Sequence, residues 1–223
     1  MNNSLNSLTY DKFKWDIMTL ALMPGDPVSA AKIAERYKVS RTPAREALVK
    51  LETEALVDIY PQSGSVISKI DETRARQEWF VRKTLEMAVV DGLFANATKE
   101  DTVKMREFCS KMETVSKHMN DPAMIYEYLK CDNDFHAVSF YVSGQGLAAE
   151  IVSNTMAHYN RIRLLVDMQN TNKDRTLSTH EQLIRCIENN DREEYRAILS
   201  KHIGNFESDI KEVRKMKPEL FKD

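Results

Sequence analysis

An aspartate and a histidine four residues apart, Asp132 and His136, are the side chains of this 223-residue sequence best suited to hold a metal ion. On a helix they share one face, where a carboxylate and an imidazole can bind the same cation. Two later histidines, His180 and His202, lie in other helical segments and could complete the site inside a bundle. Taken one at a time, such histidines are more typical of structural positions, so the prediction depends on all four residues together.

A second candidate for function is the basic segment at 32–50. It contains six Lys and Arg residues and two Glu, so its formal charge is 6 − 2 = +4. The whole chain has a formal net charge of −2, which argues against indiscriminate coating of nucleic acid. A local basic patch is compatible with a DNA-contacting surface and with a solvated helix face, and the charge alone does not choose between them.

The residues around this patch have the pattern of a helix-turn-helix followed by a wing. The MPGDP run at 23–27 must end a first helix, because two prolines and a glycine cannot continue one. Ser29 is a candidate N-cap for a second helix, and Pro43 suits the first turn of a third. Short β-rich runs then flank the turn at 61–64, which predicts a hairpin. The predicted elements are a helix over 10–22, helices beginning at 29 and 40, and strands at 56–60 and 65–68.

From Asp71 onward the sequence predicts helices alone. Amphipathic patterns with helical period are separated by Gly, Ser and Asn residues. The predicted helices cover 71–94, 98–119, 121–142, 145–169, 174–189 and 191–215. The expected fold is therefore mainly α, with a winged helix-turn-helix domain at 1–70 and an all-α helical bundle at 71–223.

The composition is typical of a two-domain globular protein, with 42% hydrophobic and 30% charged residues. No segment approaches the roughly 18–20 apolar residues of a membrane span, and the N-terminus is polar, so we expect a cytoplasmic protein without membrane contact. Three cysteines without a CxxC pair argue against a disulfide framework and against a cysteine-only zinc site.

The run SRTPAREAL at 40–48 resembles the GntR family of transcription regulators. Further features of that family occur in the same order and spacing: MPGD at 23–26, Leu51-Glu52, and a Pro-x-x-Gly wing at 61–64. The resemblance implies binding to double-stranded operator DNA, with the start of the third helix in the major groove. The residues implied to contact DNA are Arg41 and Arg45 first, then Thr42, Ser40, Lys32, Arg36 and the wing residue Gly64.

Several of these positions have a second interpretation. Ser40 and Thr42 could contact phosphates or could serve only to cap the helix, and Lys32 and Arg36 could be solvated charges. Two residues also depart from the family pattern. Ala55 stands where the family usually has Gly, which puts the local turn in doubt. Ser63 stands where a basic residue often precedes the wing glycine, which puts the strength of the minor-groove contact in doubt.

The second half of the chain resembles the FCD effector domain, which occurs in one large subgroup of GntR regulators. That subgroup has an Asp-x-x-x-His and two later histidines and binds a divalent metal with them, and Asp132, His136, His180 and His202 match this order. Mixed imidazole and carboxylate ligation suits Zn, Ni, Mn or Fe, and we expect Zn first because it binds such sites tightly.

The FCD resemblance also implies an effector, commonly a small organic acid or sugar acid. Arg82 aligns with an arginine of the subgroup's first effector-domain helix, and a guanidinium suits a bidentate carboxylate contact. The alternative for Arg82 is an ion pair with Glu86, one turn later. Arg161 and Arg163 are further candidates, of which only one can face inward.

The resulting hypothesis is a homodimeric regulator, in the usual case a repressor, whose two recognition helices lie about one DNA turn apart. Effector binding would bias helix packing and thereby change operator affinity. Two alternatives stay open: a metal-dependent enzyme that uses the Asp/His₃ site, and a metal-free helical dimerisation scaffold. The DNA-reading module and the lack of a nucleophile with a base beside the ligands argue against the enzyme.

Overall fold

The computed structural model describes residues 2–169 and 173–222, and it confirms the mainly α fold with one small sheet. It divides into two compact units, the first formed by Met1–Glu72 with Arg214–Asp223 and the second by Thr73–Val213. The sequence predicts domains at 1–70 and 71–223, whereas the structure groups the last ten residues with the first unit. Within the described residues, no helix combines the length and the apolar character needed to cross a membrane.

The first unit is a helix-turn-helix with a three-stranded antiparallel sheet. Ser29 caps the second helix by accepting a hydrogen bond from the Lys32 amide, and Pro43 is buried in the first turn of the third. Phe13 and Leu51 are fully buried in the core of this unit. Its elements are α1 (Asn2–Met18), β1 (Pro27–Val28), α2 (Ala30–Tyr37), α3 (Arg41–Thr53), β2 (Val57–Tyr60) and β3 (Gly64–Ile67).

The wing is the hairpin of β2 and β3, in which Tyr60 pairs with Gly64. Gly64 has a φ of +102°, which only glycine adopts readily, so the wing turn requires glycine at this position. The sheet order is β1-β3-β2. β1 was not predicted, because a strand of only two residues carries no alternating pattern.

Ala55 adopts the left-handed conformation, with a φ of +57°, in the turn between α3 and β2. Its amide donates to the Glu52 carbonyl, so the turn forms although the family's usual glycine is missing. The left-handed region costs a non-glycine residue about 1–2 kcal/mol, which exceeds the entropic cost of glycine, about 0.5–1 kcal/mol.

We therefore expect Ala55→Gly to raise the free energy of unfolding by about 0.5–1 kcal/mol in urea titrations followed by circular dichroism. Ala34→Gly, inside α2, is the matched control and should lower the same quantity by about 1 kcal/mol. Destabilisation by both glycines would show that Ala55 is not strained.

The last residues of the chain pack into the first unit. The Ile70 amide donates to the Leu220 carbonyl at 2.8 Å, and the Lys222 amide donates to the Ile70 carbonyl at 2.9 Å. Leu220 and Phe221 are buried, and Pro218–Leu220 forms a short 3₁₀ turn. This segment therefore adds two buried apolar side chains to the core of the first unit. It also forms two backbone hydrogen bonds with Ile70, shortly after the wing.

The second unit is an all-α bundle. Asp121 caps α7, with Pro122 in its first turn, and Thr98 and Asp101 form a capping box on α6. The helices are α4 (Glu72–Ala88), α5 (Val90–Asn96), α6 (Lys99–Ser116), α7 (Pro122–Val142), α8 (Gly146–Thr155), α9 (Ala157–Asp167), α10 (Lys173–Glu188), α11 (Arg192–Gly204) and α12 (Phe206–Met216).

Three of the predicted helices are each two helices in the structure. The predicted helix at 71–94 breaks at Val89, and that at 191–215 breaks at Asn205, just after a glycine. The predicted helix at 145–169 breaks at Met156, whose ψ of 37° is not helical. Methionine is a good helix former, so no local signal marks this last break.

Candidate metal centre and DNA-binding surface

The four predicted ligands lie together in the bundle. Asp132 and His136 come from α7, His180 from α10 and His202 from α11, and one ligand atom of each lies within 4.8 Å of all the others. His136 Nε2 is 3.3 Å from His202 Nε2, and His180 Nε2 is 3.4 Å from Asp132 Oδ1. The structure thus gathers all four residues at one point, as the sequence predicts.

The chemistry of these residues fits a divalent metal. Metal–ligand bonds of about 2.0–2.1 Å place neighbouring ligand atoms about 3–3.5 Å apart. Two of the ligand pairs lie at 3.3 and 3.4 Å, and all four ligand atoms lie within 4.8 Å of one another. His180 is completely buried, and neither ring nitrogen has a hydrogen bond within the described residues. Because an unbonded buried imidazole is costly, a metal partner accounts for this histidine better than packing does.

Two of the histidines, His180 and His202, are held in the neutral form that binds metals. Burial first and the neighbouring His136 second lower the pKa of His202 to about 3, against the charge of Asp132. Burial likewise lowers the pKa of His180 well below its usual value, and its ring stacks on Phe135 with centroids 3.9 Å apart. Both imidazoles therefore keep a free lone pair at neutral pH.

Glu86 orients the histidine ligand on α7. Its Oε2 lies 2.8 Å from His136 Nδ1, which leaves Nε2 to point at the cluster. Burial opposes ionisation of Glu86, but His136 and Arg82 outweigh it and hold its pKa well below the usual value. The carboxylate is therefore charged, and the Arg82 Nε donates to it at 2.5 Å.

We expect Glu86→Gln to weaken metal binding about 10–100-fold, because the amide removes the charge that fixes and polarises His136. Competition titration against a chelator measures this change. Glu181→Gln, next to His180 but paired with Arg106 and Arg185, is the control and should bind metal normally. Equal affinities for the two variants would contradict an orienting role for Glu86.

A cavity of about 70 Å³ opens beside the metal cluster, within the second unit. Arg82 and Arg163 line it, and both donate to the Asn133 side-chain oxygen, at 3.2 Å and 2.7 Å. Arg163 also donates to Asp132. Arg82 thus pairs with Glu86 and also lines the cavity, and its contact with an effector stays a prediction.

Arg163 lines this cavity and Arg161 does not. Arg161 is 1% exposed and lies on the buried face of α9, so the expectation that only one of the two faces inward is wrong. The two arginines are two residues apart on a helix, a separation of about 200° around its axis. They therefore point in nearly opposite directions.

On the first unit, Arg41 and Arg45 project from the start of α3 and are exposed. Among the described residues, neither guanidinium has a hydrogen bond or an ion pair. Ser40 is the N-cap residue of α3, but its hydroxyl makes no capping bond, and Thr42 is exposed in the first turn. These four side chains form one polar surface that is free to meet DNA.

The other candidates on this unit differ in their contacts. Arg36 Nε donates to Asp16 at 2.6 Å, so its charge is already paired within the unit. Lys32 reaches the Pro27 carbonyl at 3.3 Å and is exposed. Gly64 is exposed at the tip of the wing, with open space where a side chain would be.

Comparison with known sequence families assigns both halves of the chain. The family described as bacterial regulatory proteins, gntR family, matches residues 5–67, and the FCD domain matches residues 79–205. The chain belongs to the GntR family. It is a DNA-binding transcriptional regulator with an FCD effector-binding domain.

Individual relatives of this GntR regulator are also described as transcriptional regulators. A transcriptional regulator of Streptomyces ambofaciens is 27% identical, over 95% of this chain and 87% of its own length. The transcriptional repressor RspR of Escherichia coli is 22% identical, over 98% of this chain and 94% of its own. These names describe transcriptional regulators, so the enzyme alternative is set aside.

Solved structures share the fold. McbR/YncC of Escherichia coli superposes with a TM-score of 0.72 at 18% identity, covering 95% of this chain and 98% of that one. A GntR regulator from Rhodococcus gives a TM-score of 0.70 at 17% identity, covering 93% and 97%. At this level of identity the likeness concerns the fold alone.

Part of the cavity wall of this GntR regulator was missed in the sequence. Tyr159, Asp167 and Asp209 line the cavity together with the predicted arginines. Asn133 stands inside the Asp-x-x-x-His run and could have been found there as a polar neighbour of the ligands. The others come from α9 and α12, and no spacing within one helix relates them to the cluster.

Proposed function

We propose that this regulator is a repressor whose operator affinity is controlled by a small carboxylate bound at a metal-centred pocket. The observation that carries the proposal is the cavity at Asp132 and His202, whose wall also holds Arg82 and Arg163. A metal ion and guanidinium groups on one cavity wall favour an anion, and the planar guanidinium matches a carboxylate.

Asp132, His136, His180 and His202 would hold the metal, with Glu86 orienting His136. The bound ion would supply positive charge and, beyond these four ligands, a further coordination position for an anionic group. Zinc is the first candidate because it binds imidazole and carboxylate ligands tightly, and Ni, Mn and Fe accept the same ligand types. Arg82 is held in place by Glu86 and Asn133, which supports a preoriented guanidinium for a carboxylate.

On the DNA side, Arg41 and Arg45 would read the major groove, because their guanidinium groups are exposed at the start of the recognition helix α3 and have no partner among the residues that the structure describes. Ser40 and Thr42 would contact phosphates, as would Lys32. Gly64 at the tip of the wing lets the backbone approach the minor groove. Arg36 ranks last, because Asp16 already neutralises it.

The repressor would act as a homodimer in the cytoplasm, with two recognition helices on a palindrome-like operator. α12 begins with the cavity residue Phe206, so an effector in the cavity would contact this helix.

The test is operator binding by the zinc-loaded protein in the presence of small carboxylates. A duplex selected by the wild-type protein from random sequence serves as the DNA, and fluorescence anisotropy gives its affinity. We expect at least one carboxylate to weaken binding about 5–150-fold, the usual range of coupling between two sites. Tighter DNA binding with effector would overturn relief of repression, and equal binding with every carboxylate would overturn the sensor.

A further inference from the structure

The cavity beside the metal cluster has an acidic side as well as a basic one. Asp167 is the last residue of α9 and Asp209 lies in α12, and both line the cavity with Arg82 and Arg163. Among the described residues, neither carboxylate makes a hydrogen bond or a close ion pair. Partly buried carboxylates without partners are unfavourable, so this pair calls for an explanation.

The cationic groups of the cavity are mostly engaged elsewhere. Arg163 donates to Asp132 and to Asn133, and Arg82 is paired with Glu86. Arg175 also lines the cavity, but it is exposed and forms no close ion pair with the acidic side. Water screens such a charge, which leaves the two carboxylates short of positive charge.

The electrostatics of the acidic side agree with this picture. Burial, with the charges of Asp132 and Asp209, raises the pKa of Asp167 to about 7 against the opposing charge of Arg163. Burial also raises the pKa of Asp209, although Arg175 opposes it. A cation placed between the two carboxylates would relieve both burial and mutual repulsion.

We infer that the effector is a small amino carboxylate, with its carboxylate at the metal, Arg82 and Arg163 and its ammonium group between Asp167 and Asp209. This inference rests on the proposed carboxylate pocket and adds the second functional group. An ammonium group brings three donors and a positive charge, whereas a hydroxyl brings one donor and leaves the carboxylate charges unmatched.

The dimensions suit a compact zwitterion. Arg163 and Asp167 are four residues apart on α9, which separates them by about 6 Å along the helix axis. One water needs about 10–15 Å³ of such space, so a cavity of 70 Å³ admits about five to seven water-sized groups. A short amino acid fills this space with one charged group at each side.

The test uses pairs of ligands that differ only in an amino or a hydroxyl group. The probes are glycine and glycolate, alanine and lactate, aspartate and malate, 3-aminopropionate and 3-hydroxypropionate, and 4-aminobutyrate and 4-hydroxybutyrate. Calorimetric titration into the full-length, zinc-loaded protein gives each affinity. We expect at least one amino compound to bind about tenfold or more tightly than its hydroxyl partner.

Asp167→Asn and Asp209→Asn should each bring that ratio close to one, while the affinity for the hydroxyl partner changes less than about threefold. Glu212→Gln, on the exposed side of α12 one turn after Asp209, should keep the wild-type ratio.

Hydroxyl compounds that bind as tightly as their amino partners, or a preference for amines that survives both aspartate substitutions, would overturn the inference and leave the carboxylate pocket standing. Failure of every probe to bind the zinc-loaded protein would overturn the pocket itself, and the inference with it.

Discussion

Replacing Arg41 and Arg45 together by alanine should weaken specific operator binding about 10²–10⁴-fold and leave the fold intact. Both side chains are exposed on α3 and have no partner among the described residues, so their removal costs the unit no internal interaction. Each bidentate pairing of an arginine with guanine contributes about 1–3 kcal/mol of discrimination. Removing both arginines at once therefore gives the expected range.

The measurement is fluorescence anisotropy with the duplex selected by the wild-type protein, at one fixed salt concentration, since affinity depends strongly on salt. Arg36→Ala is the matched control in the same unit. Its guanidinium is paired with Asp16, so we expect a loss of only a few-fold. Comparable losses in Arg36→Ala and in the double variant would mean that the recognition surface has been placed wrongly on α3.

The features that the sequence predicted correctly are those fixed by neighbouring residues. Ser29 caps α2 because a hydroxyl can reach an amide three residues later, and the wing turn at Gly64 depends on one residue type. Asp132 and His136 share a face because helical spacing requires it. Residue types alone made His180 and His202 possible partners, and the resemblance to the FCD domain supported the set of four, since helices far apart in sequence meet through tertiary packing.

The features that were missed depend on contacts between distant segments. Phe221 packs into the first unit beside Ile70, about 150 residues earlier in the sequence. A periodic sequence pattern cannot predict a contact between segments so far apart. The break at Met156 lies between two helices whose apolar patterns continue across it. On a helical projection, Asp167 and Asp209 would be interpreted as solvent-exposed charges. Only the structure shows that both line the same cavity.

His136→Ala/His180→Ala should lose its metal, with affinity reduced at least 100-fold. Loss of a residue that merely orients a ligand costs about 10–100-fold, and this variant removes two of four ligands. Elemental mass spectrometry of the purified protein measures the metal content, and titration of the metal-free protein measures affinity. Wild-type protein should also gain about 2.7 kcal/mol of stability when free metal is at 100 times its dissociation constant.

Two further variants separate loss of metal from loss of fold. His180→Gln keeps a polar side chain of similar size in this fully buried position, so it should fold and still bind metal weakly. His118→Ala, at an exposed histidine of the same unit, should retain the full metal content. If wild-type protein neither retains metal nor rebinds it on titration, the Asp132/His136/His180/His202 centre is wrong. The unbonded nitrogens of His180 would then be an unrelieved cost in the core, and Arg82 and Arg163 alone would have to hold an anion.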